Sequence, residues 1–89
     1  MKAVITVIGM DRVGIIFDVT KVLAQNDVNI LDISQTILDG YFTMLMITDI
    51  SKASTPFDQL RDNLMELGKS INMDIKIQHE DIFNSMHKI

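Results

Sequence analysis

Two glycines bracket an acid-base pair in Gly9-Met10-Asp11-Arg12-Val13-Gly14-Ile15, where an apolar strand pattern gives way to a helical one. The chemistry such a loop offers is recognition of a small charged molecule. The first amides of a helix have no partner inside it and carry the positive end of its dipole, so a carboxylate or phosphate can rest on them without a metal. Arg12 adds a guanidinium and Asp11 a carboxylate, while the glycines bare the backbone. The same residues also read as an ordinary strand-to-helix connection, with glycines at positive φ, Arg12 solvated and Asp11 capping the helix.

Catalytic apparatus is hard to assemble from the rest of the chain. It has no cysteine, which removes thiolate nucleophiles, thiolate zinc sites and disulfides together and suits a reducing compartment. His79-Glu80-Asp81 with His87 matches no zinc spacing and reads as a solvated strand-to-helix connection. Gly9 and Gly14 lack the third glycine and the lysine of nucleotide-binding loops, and no serine stands on an elbow motif. These patterns predict a protein that is not an enzyme and holds no cofactor or metal.

Composition narrows the partners. With 89 residues, 47% apolar and 22% charged, the chain reads as a single domain over 1–89, its last stretch, 79–89, a helical extension. A net charge of −4 with both signs mixed lacks the basic footprint of a nucleic-acid binder. The N-terminal apolar run from Ala3 to Ile8 is too short to span a bilayer and carries no signal cleavage pattern, so a soluble cytoplasmic protein without a membrane partner is expected.

The elements that must position the loop follow from hydrophobic periodicity. Val4 to Ile8 is apolar on both parities, as in a central strand. Ile15, Ile16, Val19, Val22 and Leu23 form a helical stripe that Asn26-Asp27 ends. Val28 to Leu38 reads as a strand whose alternation slips near Leu31-Asp32, a bulge. Asp39-Gly40 is a two-residue hairpin signal leading into a second central strand, Tyr41 to Ile50. Pro56 suits the first position of a helix striped by Phe57, Leu60, Leu64 and Leu67, with Gly68 its terminator. Ile71, Met73, Ile75 and Ile77 then alternate with polar residues as an edge strand guarded by Lys76. The seven methionines read as core filler and adaptable surface.

Strand-helix-strand twice over, joined by a tight hairpin, predicts an α+β, ferredoxin-like βαββαβ sandwich: a four-stranded antiparallel sheet, two helices on one face and a short C-terminal helix. The helices cover one face only, whereas both central strands are apolar on two. Ile82, Phe83, Met86 and Ile89 at helical spacing place the tail over the other face, or a second copy covers it instead or as well. A homo-oligomer, most simply a twofold dimer, is therefore expected. In this topology Asn29 lies at the opposite end of the first helix from the Gly9 to Gly14 loop. It is either a turn residue or a group that meets the loop only across an interface where second strands or first helices pair antiparallel.

Gly9-x-Asp11-Arg12-x-Gly14-Ile15, a helix, then Val28-Asn29-Ile30-x-Asp32-Ile33-x-Gln35 resembles the signature of ACT domains, the small-molecule-sensing regulatory modules of amino-acid metabolism. The ending His79-Glu80-Asp81-Ile82-Phe83-Asn84-Ser85-Met86-His87 is similar to that of the small free-standing ACT proteins of bacteria and archaea. The resemblance implies a module that pairs with copies of itself and binds an amino acid or related metabolite between them. Carried over by position, Gly9, Met10, Asp11, Arg12, Val13, Gly14 and Ile15 would line the site, with Asn29 and Ile30 supplied by the neighbouring protomer. Asp11 stands where some members have an uncharged Asn; its carboxylate repels a ligand carboxylate and favours an ammonium or a metal-bridged group. The rival readings are a protein-interaction module without a small ligand, an acylphosphatase-like hydrolase using Arg12 but lacking the water-orienting Asn on the third strand, and an RNA binder stacking bases on Tyr41 and Phe42.

Overall fold

A computed structural model describes residues 1–86. Its elements are β1 (Lys2–Met10), α1 (Ile15–Gln25), β2 (Asn29–Leu38), β3 (Tyr41–Asp49), α2 (Phe57–Ile71), β4 (Met73–His79) and α3 (Glu80–Met86). The sheet is antiparallel in the order β2-β3-β1-β4, the ferredoxin-like arrangement, with β1 and β3 central as their apolar composition requires. No helix among the described residues is long and apolar enough to cross a membrane.

Strand parity divides the two faces. Ala3, Ile5 and Val7 of β1 join Phe42, Met44 and Met46 of β3 and Ile75 and Ile77 of β4 in one core with Ile15, Val19 and Leu23 of α1 and Leu60 and Leu64 of α2. This is the helix-covered face. On the other, open face stand Val4, Thr6, Ile8 and Met10, beside Ile47, Leu45, Thr43 and Tyr41 of β3. Val4 is nevertheless only 2% exposed, because α3 turns back after β4 and packs on β1 and β4, where the Gln78 amide donates to Met86 Sδ at 3.3 Å. The tail thus covers one end of the open face; His87 and Ile89 lie outside the described residues.

Turn chemistry fixes the register. Asp39 and Gly40 both take positive φ, 53° and 81°, as a two-residue hairpin of matching twist requires. The β2–β3 register shifts between Ile30 and Asp32, so the extra residue is Leu31 and the bulge falls where the alternation slips. At the end of α1, the Asp27 amide donates to the Ala24 carbonyl and the Val28 amide to that of Leu23, with Asp27 at φ 56°, a Schellman closure. Buried Asn26 then ties three segments: its amide donates to the Val22 carbonyl while its Oδ1 accepts from Thr55 and Asn63.

Two boundaries differ from the sequence expectation. Pro56 precedes α2 as its N-cap, at φ −61° and ψ 155°, instead of occupying its first turn. Gly68 does not terminate α2; the helix runs to Ile71 and closes at Asn72, φ 58°, whose amide donates to the Gly68 carbonyl. Gly68 is instead needed for close approach: a Cβ there would meet the Met73 carbonyl oxygen at 2.6 Å. Ile71 accordingly belongs to the helix, and β4 begins at Met73.

Candidate functional site

The loop after β1 is held by its neighbours. The Asp11 amide donates to the Gly40 carbonyl at 2.9 Å, joining it to the β2–β3 hairpin. Gly14, at φ 92°, is the N-cap residue of α1, and no side chain caps the helix. Asp11 therefore does not perform the capping that one reading of the sequence gave it, and the helix's first turn keeps its positive dipole end for another acceptor. Arg12 folds over that turn: Nη2 donates to Asp18 Oδ2 and Nη1 to the Val13 carbonyl, both at 2.7 Å.

These residues open onto a shallow depression of about 210 Å³ between the loop, the start of α1 and the helix-facing side of β2. Asp11, Arg12, Gly14 and Ile15 line it, joined by Ile16, Phe17, Gln35, Ile37 and Phe42. Its polar groups are the Asp11 carboxylate, the Arg12 guanidinium and the Gln35 amide; its walls are aliphatic and aromatic. Such a mixture suits a small molecule with a charged head and an apolar or amide-bearing tail, although the volume lies below the roughly 300 Å³ at which well-enclosed ligand pockets begin. A further wall is needed to close it.

The remaining loop residues point elsewhere. Gly9 lies within β1 opposite Phe42 and Met73, where an added Cβ would strike Met73 Sδ. Met10 shares the parity of Ile8 and stands on the open face of the sheet, opposite Tyr41. Val13 is 95% exposed at the loop's tip. Asn29 and Ile30 begin β2 at the far end of the molecule, and Asn29 borders a separate depression of about 570 Å³ with Asp27, Asp49 and Lys52. In that second depression the Asp49 carboxyl is held below its ordinary pKa by hydrogen bonds from the Ser51 hydroxyl and amide, with the N-terminal ammonium 3.7 Å away.

Gln35 and Phe17 line the depression but are not among the residues that the family resemblance places at the site. Gln35 is legible in the sequence as a polar residue at the inward parity of β2, between Ile33 and Ile37. Phe17 sits outside the expected apolar stripe and is 67% exposed, which a surface element awaiting a partner would show. Tyr41 and Phe42 lie on opposite sheet faces, and Phe42 is buried, so they form no common base-stacking platform. His79 stacks on Phe57 with ring centroids 4.2 Å apart. Among the described residues no three metal-ligating side chains converge.

Comparison with known proteins agrees with this architecture. The family model of the ACT domain matches residues 2–78. A UPF0237 protein of Clostridium perfringens is 56% identical over 89 residues, covering 100% of both chains. A solved ACT domain protein from Streptococcus pneumoniae superimposes with a TM-score of 0.81 at 43% identity over 93% of each chain. The structure of a candidate glycine cleavage system transcriptional repressor matches with a TM-score of 0.76 and 27% identity, over 86% of this chain and 44% of its own.

Proposed function

The chain belongs to the ACT domain family, and from that premise we propose that it is a non-catalytic regulatory module that binds an amino acid or related metabolite between two copies of itself. The observation that carries the reading is the depression at the Asp11 loop, whose open side is bounded by the exposed edge of the sheet, uncharged from Ile33 to Leu38. β2 is ten residues long, and all of them but Ile30 are exposed. Ile33, Ile37 and Leu38 face solvent there without the lysine that guards the other edge. An exposed edge of this length is a template for another strand.

Antiparallel pairing of two β2 strands about an axis near Ser34 would set Asn29 of one copy beside the Leu38 to Gly40 turn of the other. That turn already holds the Asp11 amide. The two separated parts of the expected site, the loop and Asn29, are then neighbours. A ligand carboxylate has the first amides of α1 and Arg12, an ammonium has Asp11, and Gln35 and the second copy's Asn29 supply amides for a polar tail. Occupancy regulates to the extent that the ligand binds paired chains better than separate ones. The ACT relatives include a candidate transcriptional repressor, which fits a module that passes a metabolite signal to a partner in the cytoplasm.

Titrating the protein with single amino acids, purines and divalent ions while following Tm tests this. A ligand at about 100 times its Kd adds roughly 2.7 kcal/mol to the native state, a rise of several degrees. The rise should appear with an amino acid and shrink in Asn29→Ala and Asp11→Asn, whose ligand-free Tm stays near wild type. No shift with any metabolite would leave the protein-interaction reading in possession, which the exposure of Val13 and Phe17 favours.

A further inference from the structure

We infer that Asp18, by holding the guanidinium of Arg12, makes the depression at the Asp11 loop select its ligand by charge: it takes a small primary amine of zero or positive net charge and turns away dicarboxylates. This rests on the reading of that loop as a ligand site, within which Asp18 is a positioning residue that acts through Arg12.

Two features of the loop could receive an anion, the Arg12 side chain and the uncapped first turn of α1, and one carboxylate answers both. Asp18 accepts the Arg12 Nη2 hydrogen bond at 2.7 Å. It is also the acidic residue of that first turn, where a negative side chain offsets the positive end of the helix dipole. The other terminal nitrogen of Arg12, Nη1, is turned to the Val13 carbonyl. Arg12 therefore meets a ligand as half of an ion pair, its charge already balanced.

Asp11 is in the opposite condition. Its amide is bonded to the Gly40 carbonyl, but its carboxylate lines the depression without a hydrogen bond or ion pair among the described residues. Lys21, a turn beyond Asp18 on α1, does not line the depression. What the loop presents is one unanswered negative charge beside one ion pair. Such a carboxylate attracts a cation that comes within about 4–6 Å and repels an anion at the same range. A zwitterion can set its ammonium at Asp11 and its single carboxylate on the first amides of α1. A dicarboxylate brings a further anion, and no cation lining the depression is left unpaired to receive it.

Nearly isosteric pairs that differ by one negative charge test this: L-glutamine against L-glutamate, and L-asparagine against L-aspartate, titrated into the intact protein by calorimetry. Wild type should bind the amide of at least one pair about tenfold or more tighter than its acid. Asp18→Asn removes the partner of Arg12 at nearly constant volume, and an ion pair this exposed adds little to stability, so the variant folds. It should narrow the preference about tenfold by tightening the acid. Lost packing would weaken both members of a pair alike, so the ratio moves only through charge. In an Arg12→Gln background the same Asp18→Asn change should shift the ratio far less, because the two residues act as a unit. A wild-type preference for the acids, a ratio unmoved by Asp18→Asn, or an equal shift in Arg12→Gln overturns the inference and leaves the ligand site standing. Failure of both amides to bind wild type overturns it too; a Tm rise with some other amino acid then spares the site, and no rise with any removes both.

Discussion

The two edges of the sheet are built from the same strand-helix-strand plan and end in opposite conditions. β4 is short, its Met73, Ile75 and Ile77 are buried beneath α2, and Lys76 stands outward. β2 is longer, exposed almost throughout, and has no helix packed closely upon it. Length and charge alone do not make this difference. α2 approaches β4 through a glycine, Gly68, and draws its strand into the core, whereas α1 leaves Phe17 and Ile16 beside β2 in solvent. One edge is finished by the chain itself; the other is left for whatever binds there.

The same substitution made on each edge breaks the comparison most sharply. Ile75→Lys places an ammonium where the side chain is 3% exposed, with no carboxylate in the core to receive it, and should cost about 4 kcal/mol or more. Ile33→Lys, at a side chain 40% exposed on the opposite edge, should change the stability of the dilute monomer by no more than about 0.5 kcal/mol. Denaturant unfolding of the two variants at one low protein concentration checks the pair. Equal losses would mean that β2 is as firmly integrated as β4, and the contrast between the edges would disappear.

Glycines give a finer test of the same contrast. Gly68→Ala must push Met73 backbone away from α2, since its Cβ would sit 2.6 Å from the Met73 carbonyl oxygen; overpacking of this kind costs about 1–3 kcal/mol. Gly14→Ala meets nothing nearer than Arg12 Nη1 at 3.7 Å and suffers only from its φ of 92°, roughly 1–2 kcal/mol. The first loss should appear as a lower denaturation midpoint with proton-exchange protection falling across α2 and β4. The second should leave those amides protected and act at the start of α1.

Much of this architecture is legible in the sequence because it is written in local pattern. The three-residue spacing of Ile30 and Ile33 betrays the bulge, Asp39-Gly40 the hairpin, and apolar residues on both parities mark β1 and β3 as central. Gly68 misleads for a physical reason: glycine both ends helices and lets backbones touch, and only the packed structure shows which need prevails, with Asn72 taking the left-handed turn. At the site, Asp11, Arg12, Gly14 and Ile15 converge as their clustering implies. Met10 does not, and its shared parity with Ile8 already places it on the other face. The pairing of Arg12 with Asp18 depends on the path of a whole loop and a helical turn, which no spacing rule encodes.

The end of the molecule where β2 begins is tied together by a chain of polar contacts, and one of its members titrates. The N-terminal ammonium donates to Ser51 Oγ at 2.6 Å, Ser51 donates through hydroxyl and amide to Asp49 Oδ1, and the Ile50 amide donates to the Met1 carbonyl. These hydrogen bonds favour the charged carboxylate, so the folded pKa of Asp49 lies below the usual 3.8. A depressed carboxyl contributes stability that is fully present above the unfolded pKa and is lost as pH falls through the folded one. Wild type should therefore melt slightly higher than Asp49→Asn near neutral pH, and the gap should close only below 3.8. The group is solvent-exposed, so the effect is the smallest of the three and shrinks with added salt. A gap that persists unchanged into strong acid would show that the carboxylate's charge does nothing at this end. The anchoring of β1 beside Asn29 would then rest on the neutral hydrogen bonds alone.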